Sequence, residues 1–508
     1  MYNFIKKLLP VTLLLAGLFT TGCKKLLDID SQDVVAEKNF WNNHEDTRAA
    51  LIGTYGLMRA ALADHDAHWM YGELRDGDFK STQRQDLKSI INGDLRASYP
   101  LLNSLSNWRR FYAVVNAANM FLEHVGEVKA RDPKYSDQNM HVDVAQIRFL
   151  RAFAYFYMVR IWGDVPLITT SHDGEFESKP RDSQQAVLAF VEKELNAAAA
   201  DLPYQYSSND PQQAGNYYNE DAGRWGGALA RKLTAYAVLA HVAAWQGKYA
   251  DASVYAQFVL DNYSKSGHSY VTTDNLCNSN GFFAGRIYNH MLAFNFLWAH
   301  TDASFSGHLE ELTLAKPVVD KNLPDIYVPK DSILSIFNLP ADERFSLDTL
   351  TGEPTSERYF ANFSSHIPIF NKIKVIQGGG NSDPSFRIYG SAIVITRLEE
   401  IALLQAENLT VLGNSAKAID LLNLIRDSRK IPHYDQAREG DLIDAIFRER
   451  RKELMGEGWR WYDLVRYNQI KQHNAAFMEL IKKGGIYWPV SDDILNQNKQ
   501  MTQNPYWQ

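Results

Sequence analysis

A repeated pattern of small residues constrains the fold of this chain more strongly than any other feature of its sequence. The pattern Ala-x6-Gly-x2-Ala-x-Ala occurs twice, at Ala240, Gly247, Ala250 and Ala252 and again at Ala406, Gly413, Ala416 and Ala418. Small residues let two antiparallel helices approach closely, and glycine suits the turn between them. Because a tetratricopeptide helix pair has this design, the sequence predicts two helical hairpins, without implying that they bind peptide.

Helical periodicity dominates two blocks, at about residues 30–262 and 396–470. In the first block the spacing of apolar residues predicts helices over residues 107–123, 142–162, 183–200, 227–246 and 249–262. The second of these helices is apolar on most of its circumference, which indicates that it is buried between neighbours. Gly163 and Pro166 are expected to end it. The predicted fold class is therefore mainly α, built from tetratricopeptide-like helix pairs.

Helical periodicity fades over about residues 264–390, between the two blocks. This insertion is rich in Gly, Asn, Asp, Pro and aromatic residues, including Gly378-Gly379-Gly380 and Asn381-Ser382-Asp383-Pro384. Such a composition predicts loops with a few short strands. Long irregular segments inside a compact chain are usually functional, so we expect the binding surface here and in the segment from Ala63 to Tyr99.

The N-terminal segment has the pattern of an exported lipoprotein. Lys6 and Lys7 precede an apolar run from Leu8 to Phe19, which is too short to span a bilayer but fits a secretory signal peptide. Thr20-Thr21-Gly22-Cys23 follows, and a small residue before a cysteine is typical of a lipobox. We therefore predict that residues 1–22 are removed and that Cys23 becomes the lipidated N-terminus. Two or more acyl chains would anchor the protein to a membrane that it does not cross.

Charge and motif content argue against several classes of function. The formal net charge is −7 and there is no long basic run, which argues against a nucleic-acid partner. The sequence contains no Gly-x-Ser-x-Gly, His-Glu-x-x-His, Gly-x4-Gly-Lys-Ser/Thr or Cys-x2-Cys motif. His65 and His68 are three residues apart, but no third metal ligand is evident. We expect no catalytic residue, no metal site and no cofactor.

Three glutamates have the spacing that a pair of catalytic carboxylates could have. Glu449, Glu453 and Glu457 lie four residues apart and therefore on one helix face, and paired carboxylates can hydrolyse a glycosidic bond. Nearby arginines lower carboxylate pKa values, which does not suit a general acid. These arginines are Arg448, Arg450, Arg451, Arg460 and Arg466. The sequence therefore predicts structural ion pairs, here and for two further groups, Glu399-Glu400 and Glu73 with Asp76 and Asp78.

Several segments together resemble the SusD/RagB family of outer-membrane nutrient-binding lipoproteins. In chain order they are Cys23-Lys24-Lys25-Leu26-Leu27-Asp28, Asn39-Phe40-Trp41, the stretch from Ile147 to Ala154 leading into Trp162-Gly163-Asp164-Val165-Pro166-Leu167, Lys248-Tyr249-Ala250-Asp251-Ala252, the segment from Glu449 to Arg466, and Gln503-Asn504-Pro505. The tail departs from the family pattern, with Tyr487-Trp488-Pro489 in place of Pro-Ile-Pro and Tyr506 in place of glycine. The segment from Met291 to Phe296 also lacks the family's preceding acidic residue.

The resemblance implies a single α-rich domain over residues 23–508, lipid-anchored at the outer membrane and facing the exterior. It implies a non-enzymatic protein that captures nutrient, with oligosaccharide the first expectation, and delivers it to a SusC-like TonB-dependent barrel. Capture of peptide or another nutrient, a surface glycoside hydrolase, and a helical scaffold with protein partners alone are the alternatives.

Two clusters combine aromatic rings, which cover the apolar face of a sugar, with polar groups that satisfy its hydroxyls. The first contains Asp64, His65, His68, Trp69, Tyr71, Arg75 and Asp76, and the second contains Phe282, Phe283, Arg286, Tyr288, Asn289 and Trp298. From them we predict ligand contacts at Trp69, Tyr71, Asp76, Phe283, Tyr288 and Trp298. Trp69 and Trp298 are preferred because indole offers the largest flat surface.

Overall fold

The computed structural model describes residues 40–172, 178–213, 215–296, 307–377 and 388–508. Cys23 and the rest of the predicted signal region, Trp298, and the two runs beginning at Gly378 and Asn381 lie outside these residues. The described chain is predominantly helical, with short strands, which confirms the predicted fold class.

The α-helices occupy most of both predicted blocks. They are α1 His44–Ala63, α2 Ala67–Trp69, α3 Gln85–Ile91, α4 Pro100–Leu105, α5 Arg109–Arg131, α6 Asp137–Trp162, α7 Gln184–Asp201, α8 Ala222–Trp225, α9 Lys232–Trp245, α10 Tyr249–Asn262, α11 Thr273–Cys277, α12 Leu309–Thr313, α13 Lys330–Ile336, α14 Leu398–Val411, α15 Ser415–Ser428, α16 Gln436–Glu439, α17 Leu442–Glu453, α18 Arg460–Lys471, α19 Ala475–Lys482 and α20 Asp492–Gln497. None of the helices in the described ranges is long and apolar enough to cross a membrane.

Helix α6 is the buried helix that the sequence predicts. Its N-terminus is capped by Ser136, whose side chain accepts the backbone N–H of Asn139 at 3.1 Å. Every residue from Phe149 to Trp162 is buried, because α6 packs against α1, α5 and α7. Gly163 follows with φ of 73°, a conformation that glycine adopts without steric strain, and the helix ends there.

The two repeats of small residues form two equivalent helical hairpins, α9–α10 and α14–α15. The turns are equivalent, because Gly247 has φ of 71° and Gly413 has φ of 81°. The buried alanines at the helix contacts are Ala240, Ala252, Ala406 and Ala418. Ala250 and Ala416 are exposed, so the small residue just after each turn does not serve helix packing. Helix α10 also packs against α14, which stacks the second hairpin on the first.

Most of the short strands lie in the insertion between loops, as predicted, while Lys80–Ser81 lies in the first helical block and Ile393–Thr396 just after the insertion. The strands are β1 Lys80–Ser81, β2 Leu292–Phe294, β3 Ile326–Tyr327, β4 Ser346–Leu347, β5 Pro354–Ser356, β6 Phe360–Ala361, β7 Ile369–Phe370, β8 Ile376–Gln377, β9 Ile388–Tyr389 and β10 Ile393–Thr396. They pair as β1–β3, β2–β10, β4–β5, β6–β7 and β8–β9. Phe283, Phe294 and Phe370 belong to the same hydrophobic core as Phe153 and Trp162 of α6, so the insertion is packed onto the helices.

Glu449 and Glu453 lie on α17 as predicted, but Glu457 lies in the turn after it, since the helix ends at Glu453. All three carboxylates are part of a buried ion-pair network. The Glu453 carboxylate is 3.1 Å from a guanidinium nitrogen of Arg344, 2.8 Å from one of Arg397 and 2.6 Å from one of Arg429. None of these four side chains is more than 2% exposed. Glu449 and Glu457 extend the network through Arg344 and Arg397. The prediction of structural ion pairs is confirmed.

The partners of these glutamates are not the arginines next to them in sequence. Arg450 pairs with Asp463 and Glu400, and Arg451 pairs with Asp78. The other arginines of the segment also pair with acids other than these three glutamates, in the pairs Arg448–Glu439, Arg460–Asp78, Arg466–Glu407 and Arg466–Asp463. Successive residues of a helix point in different directions, so the neighbours of a glutamate face other surroundings.

The remaining acids divide between ion pairs and backbone contacts. Glu399 and Glu400 are buried and ion-paired, as predicted. Glu73 instead accepts the backbone N–H groups of Gly456 at 2.8 Å and Gly458 at 2.9 Å. Burial raises the pKa of Glu73 to about 7. Through these two hydrogen bonds the Glu73 side chain stabilises the turn after α17.

Candidate ligand-binding site

The first predicted cluster lies mostly in the hydrophobic core. Trp69 is 2% exposed, and its indole N–H donates to the carbonyl of Gly456 at 3.1 Å. Tyr71 is 3% exposed, and its hydroxyl donates to the carbonyl of Leu105 at 2.7 Å. The expectation that these two rings are open to a ligand is not met. Asp76 is exposed, and its contact with ligand stays a prediction.

Close backbone packing explains this burial. A Cβ at Gly72 would lie 1.9 Å from the carbonyl oxygen of Gly458, so only glycine lets the two chain segments meet. This contact holds the helical turn Met70–Leu74, which follows α2, against the turn after α17, and Trp69 and Tyr71 belong to the main hydrophobic core.

The second cluster is divided between core and surface. Phe283 is 2% exposed, so its ring is not open to a ligand either. Its backbone carbonyl accepts the N–H of Ala392. Tyr288 is half-buried, with the Arg231 guanidinium carbon 5.0 Å from its ring centroid. Arg286 is exposed. Trp298 lies outside the described residues, and its role stays a prediction.

Arg286 lines a pocket of about 360 Å³ between α1, the segment around α8 and strand β2. The described lining residues are Ile52, Tyr55, Gly56, Arg59, Arg224, Trp225, Ala228, Leu229, Arg286, Ala293, Phe294 and Asn295. We call it the arginine pocket. Its volume lies within the range of about 300–1,000 Å³ that small-molecule sites occupy.

Two glycines position the wall that carries Arg224 and Arg286. A Cβ at Gly226 would lie 2.2 Å from a ring carbon of Tyr288, and a Cβ at Gly227 would lie 2.1 Å from the carbonyl oxygen of Ile287. The two segments are therefore in direct backbone contact. Across this contact, a guanidinium N–H of Arg286 donates to the carbonyl of Arg224 at 2.5 Å.

Three aromatic residues line the arginine pocket, although each is mostly buried: Tyr55 is 8% exposed, Trp225 4% and Phe294 3%. The Tyr55 hydroxyl accepts the backbone N–H of Ala230 at 2.9 Å, and the Trp225 indole N–H donates to the carbonyl of Tyr217 at 3.0 Å. Their polar atoms are thus bonded to protein, and the rings present mainly carbon to the pocket. With Phe294 they make an apolar wall that is held in place by these hydrogen bonds.

The polar side of the pocket is cationic. Arg59 donates to the carbonyl of Asn295 at 2.8 Å, and its guanidinium carbon lies 5.2 Å from the Phe296 ring centroid. Burial, and then the charge of Arg224, lower the pKa of Arg286. The arrangement combines an apolar wall with guanidinium donors and can bind a ligand that has an apolar face and oxygen acceptors.

Comparison with known proteins places the chain in a family. The sequence profile described as the SusD family matches residues 365–507, and the profile described as starch-binding associating with outer membrane matches residues 75–216. A crystal structure of a SusD superfamily protein from Bacteroides thetaiotaomicron is 47% identical to this chain. The TM-score is 0.84, and the match covers 92% of this chain and 99% of that one. The chain belongs to the SusD family.

More distant members of the SusD family cover the same length. The SusD-like protein P38 of Formosa agariphila is 25% identical over 96% of both chains. A SusD homolog from Bacteroides thetaiotaomicron, 22% identical with a TM-score of 0.74, shares the fold. Arg59, Arg224 and Arg286 lie outside both profile matches, so membership of the SusD family assigns these arginines no role.

This SusD-family chain has a second aromatic cleft that the sequence reasoning missed. It has a volume of about 840 Å³ and is lined by Trp245, Tyr487 and Tyr506 together with Gln184, Gln469, Asn504 and other residues. The Tyr487 hydroxyl donates to the Gln184 side chain at 2.9 Å, and Tyr506 is 42% exposed. In the sequence, this cleft could have been predicted from Tyr487 and Tyr506, the two residues that depart from the family's C-terminal pattern.

Proposed function

We propose that this SusD-family protein is a lipid-anchored binding protein that captures oligosaccharide at the outer membrane and delivers it to a SusC-like TonB-dependent transporter. The observation that carries the proposal is the arginine pocket, with its aromatic wall and guanidinium donors. A sugar ring has an apolar C–H face and a rim of hydroxyl oxygens, and the pocket offers a partner for each. The profile match described as starch-binding associating with outer membrane supports the same reading.

Binding without hydrolysis is part of the proposal. A glycosidase needs a carboxylic acid that stays protonated near neutral pH and stands beside the substrate. Arginines hold the pKa values of Glu449, Glu453 and Glu457 below the ordinary value despite burial, which alone would raise them. None of the described lining residues of the arginine pocket is a carboxylate. Incubation with oligosaccharide is therefore expected to release no product.

The proposal is tested by filling the pocket. Gly56 lines the pocket on α1, and a Cβ there meets no atom within 4 Å. Gly53 lies one turn earlier, is exposed and has the same free space, but it is not among the described lining residues. Gly56→Trp is expected to weaken oligosaccharide binding at least about tenfold, and Gly53→Trp is expected to leave it unchanged.

The measurement is calorimetric titration with maltotetraose, xylotetraose and tetragalacturonate, combined with chromatography for products. Both variants are first checked for an unchanged melting temperature. Equal binding by Gly56→Trp and the parent would place the site elsewhere, and the aromatic cleft lined by Trp245, Tyr487 and Tyr506 would be the next location to fill. Absence of binding by all three saccharides, or release of shorter products, would overturn the proposed function.

The lipid anchor gives a separate prediction. Replacing Cys23 with alanine is expected to release the protein from the membrane fraction or to block its maturation, because the anchor would be lost. The matched control is Cys277→Ala, since Cys277 is a buried thiol whose pKa is raised by burial. The measurement is membrane fractionation with metabolic labelling by a fatty-acid analogue. A labelled, membrane-bound Cys23→Ala protein would show that the anchor is elsewhere.

A further inference from the structure

We propose that the arginine pocket recognises an anionic substituent, a carboxylate or sulfate group, on the captured saccharide, with Arg224 and Arg286 as its donors. This inference rests on the proposed function and names the class of its ligand. The described lining residues include three arginines and no aspartate or glutamate. The whole chain, in contrast, has a formal net charge of −7. The pocket is thus a local concentration of positive charge on an acidic protein.

Arg224 and Arg286 are available to a ligand. Both side chains are exposed, and neither makes an ion pair with any residue in the described ranges. Most other arginines of the chain have carboxylate partners, as Arg344 and Arg397 do in the network on α17. Two guanidiniums that line one small pocket repel each other. An anionic ligand group would relieve that repulsion.

The acidic residues beside the pocket are engaged elsewhere. The Glu220 carboxylate lies 2.7 Å from a guanidinium nitrogen of Arg48. The Asp221 carboxylate accepts the backbone N–H of Gly223 at 2.8 Å, where it caps the N-terminus of α8. The two carboxylates that are nearest in sequence to Arg224 therefore serve α1 and α8. Among the described residues no carboxylate pairs with Arg224 or Arg286, and the ligand would supply their counter-charge.

The chemistry of the Arg224 and Arg286 guanidinium groups suits an acidic sugar. Guanidinium donors form charge-assisted, often bidentate hydrogen bonds with planar carboxylates and with sulfate or phosphate oxygens. The apolar lining of the pocket, in which Ile52 is exposed beside the mostly buried rings, can contact the sugar to which that group is attached. A neutral saccharide could accept hydrogen bonds from the guanidiniums through its hydroxyl oxygens, but it would leave the two positive charges without a counter-charge. The site therefore favours uronate or sulfated saccharides over neutral ones.

The test compares three tetrasaccharides of equal length by calorimetry: tetragalacturonate, a sulfated κ-carrageenan tetrasaccharide, and neutral maltotetraose. We expect at least one acidic probe to bind at least about tenfold more tightly than maltotetraose, with an affinity that falls as salt rises. The carboxylated and sulfated probes distinguish the two sources of charge. Each single variant, Arg224→Gln and Arg286→Gln, is expected to weaken acidic-probe binding by about tenfold or more.

Arg438→Gln is the matched control, because the Arg438 side chain is 82% exposed and lies on α16. It is expected to bind every probe like the parent. Equal or tighter binding of maltotetraose, failure of both acidic probes to bind, or unchanged acidic-probe affinity in the Arg224→Gln, Arg286→Gln double variant would each overturn the inference. If maltotetraose binds and Gly56→Trp abolishes that binding, the proposed function stands although the inference has failed.

Discussion

Replacing Glu453 with alanine is expected to lower the free energy of unfolding by about 3–5 kcal/mol, a large fraction of the roughly 5–15 kcal/mol by which proteins are ordinarily stable. The carboxylate is 0% exposed and bridges Arg344, Arg397 and Arg429, which come from three different parts of the chain. Its removal leaves three buried guanidiniums with fewer acceptors. Desolvation of a charge that has lost its partner is the main cost.

The measurement is urea unfolding of Glu453→Ala beside Glu127→Ala. Glu127 pairs with Arg131 at 3.1 Å, but both side chains are about half exposed, so its loss should cost no more than about 1 kcal/mol. We also expect that Glu453→Ala, where it is folded, binds oligosaccharide like the parent. A loss of binding with no change in unfolding would instead give Glu453 a role in the ligand site.

The same network predicts how stability depends on pH. Burial alone would raise the pKa of Glu453, but Arg429 and Arg397 outweigh burial and hold that pKa well below its ordinary value of 4.5. A carboxylate whose pKa is lower in the folded than in the unfolded state stabilises the fold fully when the pH is above its unfolded-state pKa. That contribution is lost as the pH falls through its folded-state pKa. Stability is therefore expected to fall progressively below about pH 4.5. Thermal unfolding measured from pH 7 to pH 3 tests this.

Replacing Trp69 with alanine is also expected to cost about 3–5 kcal/mol of stability. The indole packs in the main core and donates its N–H to Gly456, so truncation leaves both a cavity and a carbonyl without its donor. Since the ring is 2% exposed, no direct loss of ligand contact is expected. The physical effect is on the fold, and any effect on binding should follow unfolding.

Tyr506→Ala is the control for Trp69→Ala, because Tyr506 is an aromatic residue that is 42% exposed. It is expected to change the free energy of unfolding by no more than about 0.5 kcal/mol. Denaturant unfolding and calorimetric titration of both variants provide the comparison. If Trp69→Ala keeps the stability of the parent but binds oligosaccharide more weakly, the original prediction of a ligand-stacking ring at Trp69 would be restored.

Local features of the sequence determined the helical framework. Apolar spacing predicted α10 within its observed bounds, Tyr249–Asn262, and it predicted the buried character of α6. Gly247 and Gly413 predicted the two hairpin turns, since a residue with positive φ at a turn is a local requirement. These inferences succeeded because helix formation and tight turns depend on residues that are close together in the chain.

Only the tertiary structure decided which side chains meet. Trp69 lies in a loop-like sequence yet is buried, because its partner Gly456 is 387 positions away. The partners of Glu453 likewise come from distant segments that pack around α17, while helix geometry directs its neighbours in sequence elsewhere. The arginine pocket joins Arg59, Arg224 and Arg286 from three separate segments. Composition indicates that such aromatic and charged groups exist, but burial and contact depend on packing between residues that are far apart in sequence.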